Sequence, residues 1–114
     1  MDFIAIDKNR MPYRFDVPLA GTTYTLEMHY NSKGDFFTVD LYRGEELLAA
    51  GERLVYAWPL FATCAAEGFP GVALIPFDLA WREEDVSWDN LGESVYLYVI
   101  NREGADDAAL QAEG

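Results

Sequence analysis

Residues 23–43 alternate apolar and polar side chains with a period of two, and one glycine-containing turn divides the pattern. Tyr24, Leu26, Met28 and Tyr30 interleave with Thr23, Thr25, Glu27 and His29. After Ser32-Lys33-Gly34-Asp35, Phe37, Val39 and Leu41 interleave with Phe36, Thr38, Asp40 and Tyr42. Successive side chains of a pleated strand point to opposite faces, so this stretch predicts an antiparallel hairpin with one buried face.

The remaining segments supply further strands. Residues 3–6 read as a short apolar strand, and 13–19 as a second in which Tyr13, Phe15, Val17 and Leu19 alternate with Arg14, Asp16 and Pro18. Pro18 lacks an N–H, which confines that strand to a sheet edge or ends it there. Residues 46–54 follow a tight turn, with Gly51 marking a bulge or a close approach. Residues 72–77 form another strand, interrupted by Pro76. In 95–100, Val95, Leu97 and Val99 face one way and Tyr96, Tyr98 and Ile100 the other. Apolar residues on both faces predict a strand covered on both sides, by its own domain or by a partner. The single helix expected spans 59–67. Pro59 suits a first helical position, Leu60, Phe61 and Cys64 share a face, and Gly68-Phe69-Pro70-Gly71 is a stop. The expected architecture is therefore mainly β: a small antiparallel barrel or sandwich of six to seven strands with one short helix. It occupies one domain, 1–101, followed by an acidic flexible tail, 102–114.

Composition narrows the functional classes. The 114 residues carry a formal charge of −12, distributed as −5 over 1–80 and −7 over 81–114. Phosphate backbones and anionic membrane surfaces repel such a chain, so neither direct nucleic-acid binding nor membrane binding is expected. Cys64 is the only cysteine, which leaves no intrachain disulfide. Neither a secretory leader nor an apolar run of spanning length is apparent, so the expected site of synthesis is a reducing cytoplasm.

Candidate chemistry is thin. His29, the only histidine, lies beside Glu27 on the polar face of a strand, where an exposed histidine is the ordinary reading; a Cys64–His29 dyad is disfavoured by the apolar setting of Cys64. Glu83, Glu84, Asp85 and Asp89 are a dense carboxylate group without calcium-loop spacing, and read as a solvated loop. No phosphate loop or dinucleotide fingerprint is present. No catalytic, cofactor or metal residues are therefore assigned, and the chain is read as a non-enzyme. Large aromatics are more informative. Trp81 and Trp88 lie in a polar connection, 78–90, and are either lids on the core or anchors for a partner. Trp58 has the same two readings, and Tyr96 and Tyr98 complete the set of interface candidates.

The order of strand and turn residues resembles the small plug proteins of contractile phage tail baseplates. The resemblance is carried by Phe15-x-Val17-x-Leu19-x-Gly21, Tyr24-x-Leu26, Tyr30-Asn31 and Phe37-x-Val39-Asp40-Leu41-Tyr42. It continues through Leu48, Gly51, Leu54-Val55, Pro59-Leu60, and Gly68-Phe69-Pro70-Gly71 before Leu74, to Leu91-Gly92 and Val95-x-Leu97-Tyr98. It covers about residues 3–100. Departures are Phe37 in place of a tryptophan, Tyr56-Ala57 before Trp58-Pro59 in place of a glycine-containing turn, and the acidic tail. The resemblance implies a non-enzymatic virion component of the tail baseplate. Such a component packs against hub, spike and tail-tube-like proteins near the tail axis, and is oligomeric only in the assembled particle. The rival expectation, from charge alone, is an acidic inhibitor or nucleic-acid mimic that occupies a basic site on a host protein.

Overall fold

The computed structural model describes residues 2–62 and 70–101. It is an open β-sandwich. One sheet has four strands in the order β2 (Tyr13–Leu19), β3 (Thr22–Asn31), β4 (Phe36–Arg43) and β5 (Glu46–Arg53). The other has three, in the order β1 (Phe3–Ile4), β7 (Tyr96–Asn101) and β6 (Val72–Phe77). All strand pairs are antiparallel. The barrel alternative is not realised, because neither sheet closes on the other.

The alternation around the Ser32–Asp35 turn becomes the β3–β4 hairpin, in which Met28 pairs with Val39 and Leu26 with Leu41. Their apolar side chains meet Leu74 and Leu97 of the opposite sheet, and Val95 just before β7, in one core. Leu26, Met28, Phe37, Val39, Leu41, Val95 and Leu97 are all fully enclosed. Removing a large side chain from such a close-packed interior forfeits both transfer energy and packing contacts.

Two local expectations hold. β2 is an edge strand, as Pro18 requires. At Gly51 the β4–β5 register slips, so that one extra β5 residue is accommodated between the Val39–Glu52 and Leu41–Ala49 pairs. Gly51 has φ +70°, a left-handed conformation that other residues adopt at a cost, and its exposed amide donates to Asp40 Oδ1 at 2.7 Å.

One expectation is corrected. The helix expected over 59–67 does not start: Leu60–Ala62 form a turn, and Phe61 at φ +64° cannot belong to a right-handed helix. Residues 63–67 of that segment, with Cys64 and the Gly68-Phe69 portion of the stop, lie outside the described residues. The only helical turn among the described residues is the 3-10 turn Lys8–Arg10, capped by Asp7. At 59–61 the propensity of Pro59 is overridden because the 57–60 backbone is used elsewhere. Ala57 N–H donates to the Pro76 carbonyl at 2.8 Å and Leu60 N–H to the Leu74 carbonyl at 2.7 Å, which covers the outer edge of β6. The strand expected at 95–100 is β7, which lies between β1 and β6. The acidic segment 102–114 lies outside the described residues.

Phe37→Ala is expected to destabilise the fold by about 3–5 kcal/mol. Equilibrium urea unfolding should show this as a lower midpoint with little change in slope.

Candidate aromatic docking face

Strand parity assigns two faces to the three-stranded sheet. Ile4, Val72, Leu74, Val95 and Leu97 turn into the core. The outward positions are Phe3 on β1, Ala73, Ile75 and Phe77 on β6, and Tyr96, Tyr98 and Ile100 on β7. Every one of these is apolar or aromatic. Of these, Phe3 is exposed, Ile75, Phe77, Tyr96 and Ile100 are partly buried, and Ala73 and Tyr98 are buried within the chain. An outward sheet face in a sandwich ordinarily alternates to polar residues, so an all-apolar outer set is unusual in composition.

Ring contacts join the face. Phe3 packs on Tyr96 with centroids 4.7 Å apart and on Tyr98 at 6.1 Å, and Tyr96 meets Tyr98 at 6.2 Å. Tyr96 pairs across the ladder with Phe77. Phe77 stacks on Tyr56 at 5.5 Å and receives Trp81 edge-on at 4.9 Å. Phe3 is half exposed, and Trp81 is 79% exposed. Burial pushes the Tyr98 phenol above the ordinary tyrosine value, with the nearby Tyr96 and Asp78 adding to the shift.

Trp81 is held out by a buried carboxylate. Asp78, only 2% exposed, accepts backbone N–H bonds from Ala80 (2.8 Å), Arg82 (2.9 Å) and Glu83 (3.1 Å). Its own N–H donates to Tyr56 Oη at 3.0 Å, and its carbonyl accepts from Trp81 N–H at 2.9 Å. These bonds, the one from Ala80 first, hold the Asp78 carboxyl below the usual aspartate value. The turn so formed places Trp81 at φ +61°, a strained conformation for a bulky residue. Exposed acids, Glu84 and Asp85, follow immediately, with Arg82 between them and Trp81.

The five aromatic candidates are distributed unequally. Trp81, Tyr96 and Tyr98 belong to this face. Trp58 is exposed in the loop that runs along β6, and Val55 beside it is also exposed. Trp88 lies elsewhere, as a lid over one end of the core. It packs on Tyr30 (4.8 Å) and Phe37 (6.2 Å), its N–H donates to Asp35 Oδ1 at 2.8 Å, and its carbonyl accepts from Lys8 Nζ. The Trp88 amide, followed by the Tyr30 hydroxyl, holds Asp35 below the usual aspartate value. Much of the acidic group is likewise engaged in structure: Glu83 accepts from Ser94 Oγ at 2.7 Å and from Asn90 Nδ2 at 3.3 Å. Phe3, Phe77 and Asp78 were not singled out by sequence. The outward parity of the first two follows from the same alternation that fixed Tyr96. The role of Asp78 needs the folded turn.

Over residues 1–103 the chain matches the family model described as the cyanophage baseplate Pam3 plug gp18. The chain belongs to this baseplate plug family. No curated protein sequence matches it. Membership makes it a structural, non-catalytic part of the phage tail baseplate and places it in the virion. For a plug, an aromatic outer sheet face and a protruding indole are the features to account for.

Because the folded Asp78 value is depressed, its contribution to stability is fully present above the unfolded value of 3.8 and is lost as pH falls through the folded one. Acid titration followed by Trp fluorescence should therefore show a transition below that value that is absent in Asp78→Ala. The substituted protein should already have the looser loop at neutral pH.

Proposed function

We propose that the plug is held in the baseplate through the outer face of its three-stranded sheet, with Trp81 as the central anchor and Tyr96 and Tyr98 as its floor. The partners are the hub, spike and tail-tube-like proteins near the tail axis, and the plug is oligomeric only as a consequence of that assembly. The observation that carries this reading is the absence of any charged or polar residue at the outward strand positions of that sheet. Aromatic side chains supply large, rigid contact area, and desolvated tryptophans are typical energetic centres of interfaces. The negative charge keeps the free subunit apart from its copies and steers it toward a basic rim on its partner. Trp58, on the loop covering β6, extends the contact at its margin, whereas Trp88 acts through the core and not by direct contact.

Co-expression of the plug with the hub and tube proteins encoded near it, followed by affinity purification and light scattering, tests this reading. A stoichiometric complex is expected. Trp81→Ala should weaken it by at least about 2 kcal/mol, roughly 30-fold, as for an interface hot spot. Since Trp81 is mostly solvent-exposed in the free chain, the same substitution should leave the unfolding midpoint nearly unchanged. Trp88→Ala should do the reverse, lowering stability first. A complex indifferent to Trp81→Ala and Tyr96→Ala would remove this face as the contact.

A further inference from the structure

The outer face of the four-stranded sheet carries a constellation that the plug reading does not use. Glu27 on β3 and Asp40 on β4 are direct cross-strand partners, and both side chains are outward. Like charges at such a position repel, so the pair requires a cation or a donor between its carboxylates. His29, two residues along β3 on the same face, turns Nε2 toward both: 2.8 Å from Glu27 Oε2 and 3.5 Å from Asp40 Oδ2. The three ligand atoms lie within 4.8 Å of one another, and all three residues are partly buried.

The other oxygen of each carboxylate is already fixed. Glu27 Oε1 accepts from Arg14 Nε (3.1 Å) and NH2 (2.7 Å), and Asp40 Oδ1 accepts from the Gly51 amide at the bulge (2.7 Å). Each carboxylate thus has an outer partner that orients it and a second oxygen turned toward His29 Nε2, the arrangement by which supporting hydrogen bonds orient metal ligands. Arg14 is itself steadied over the Tyr42 ring at 4.5 Å. The bonds of zinc to imidazole nitrogen and carboxylate oxygen, about 2.0–2.2 Å, put tetrahedral ligands roughly 3.3–3.5 Å apart. The His29–Asp40 separation already meets that spacing, and Glu27 needs to withdraw by less than about 1 Å.

We propose that Glu27 Oε2, His29 Nε2 and Asp40 Oδ2 form a three-ligand site for a first-row divalent cation of the zinc class, with water completing the tetrahedron. One imidazole with two carboxylates favours such an ion over calcium, which needs six to eight oxygens. The bound ion places a positive charge between the two carboxylates and ties β3 to β4 at the bulge. This site is on the opposite side of the sandwich from the aromatic face, so it stands or falls independently of the docking reading.

The test is titration of the full-length, tag-free chain with zinc chloride by calorimetry, and with cobalt chloride by visible absorption. One zinc per chain is expected. His29→Ala and Asp40→Asn should weaken binding by at least about 10-fold; the second keeps an acceptor for Gly51 while removing the charge. Cys64→Ser and Glu84→Gln should bind as the parent does. Cobalt should give tetrahedral d–d bands that zinc abolishes, a readout on the parent chain that does not depend on how the variants fold. No uptake, no such bands, loss of binding in Cys64→Ser, or equal weak binding by every variant would overturn the site.

Discussion

Everything in this sandwich follows from a shortage of layers. Two sheets share one interior, yet β6 and β7 carry apolar side chains on both faces, and on the outer one Ala73 and Tyr98 are buried as well. The inner set, with Leu74, Val95 and Leu97 against Met28, Val39 and Leu41, is satisfied within the domain. The outer set, from Phe3 to Phe77 and Tyr96, has partial cover from neighbouring rings and from the Tyr56–Trp81 side of the sheet. Hydrophobic surface left outside a small domain lowers its solubility and is retained where a partner buries it.

The same constraint accounts for the Asp78 turn. A carboxylate buried with three backbone donors orders a segment that would otherwise be free to lay Trp81 over the apolar face of its own sheet. The turn holds the indole edge-on to Phe77, outward, in a left-handed backbone conformation. Such preorganisation reduces the ordering entropy that an anchor loses on docking. Charge acts at longer range. Two of the acids also have local structural roles, Asp35 accepting from the Trp88 amide and Glu83 from Ser94 Oγ.

Alternation made the hairpin at 22–43 legible down to which residues are buried, because period-two patterning fixes face and register together. Pro18 and Gly51 were legible for equally local reasons, a missing donor and a permitted left-handed φ. Less legible was anything decided across the fold. The 59–67 segment has helical propensity, but Ala57 and Leu60 give their amides to β6, a choice invisible until β6 has an edge to cover. The strand at 95–100 was legible from its apolar run, but its central position depends on β1, only two residues long. Among the aromatics, sequence could not separate Trp81, at the outer face of the three-stranded sheet, from Trp88, on the core. Their surroundings are similar in sequence, and only the packing against Phe37 or Phe77 distinguishes them. The Glu27–Asp40 pairing required the cross-strand register, which alternation implies but which the turn length has to set.

The central claim is that the plug docks by the outer face of its three-stranded sheet. Hydroxyl-radical footprinting of the free chain and of intact tail baseplates, read residue by residue by mass spectrometry, addresses it most directly. The account predicts that Trp81, Phe3 and Tyr96 are oxidised in the free chain and protected in the particle, while Leu47 at the β5 edge of the other sheet stays reactive in both. Equal oxidation of Trp81 in the two states, with protection moving to Leu47, would contradict it.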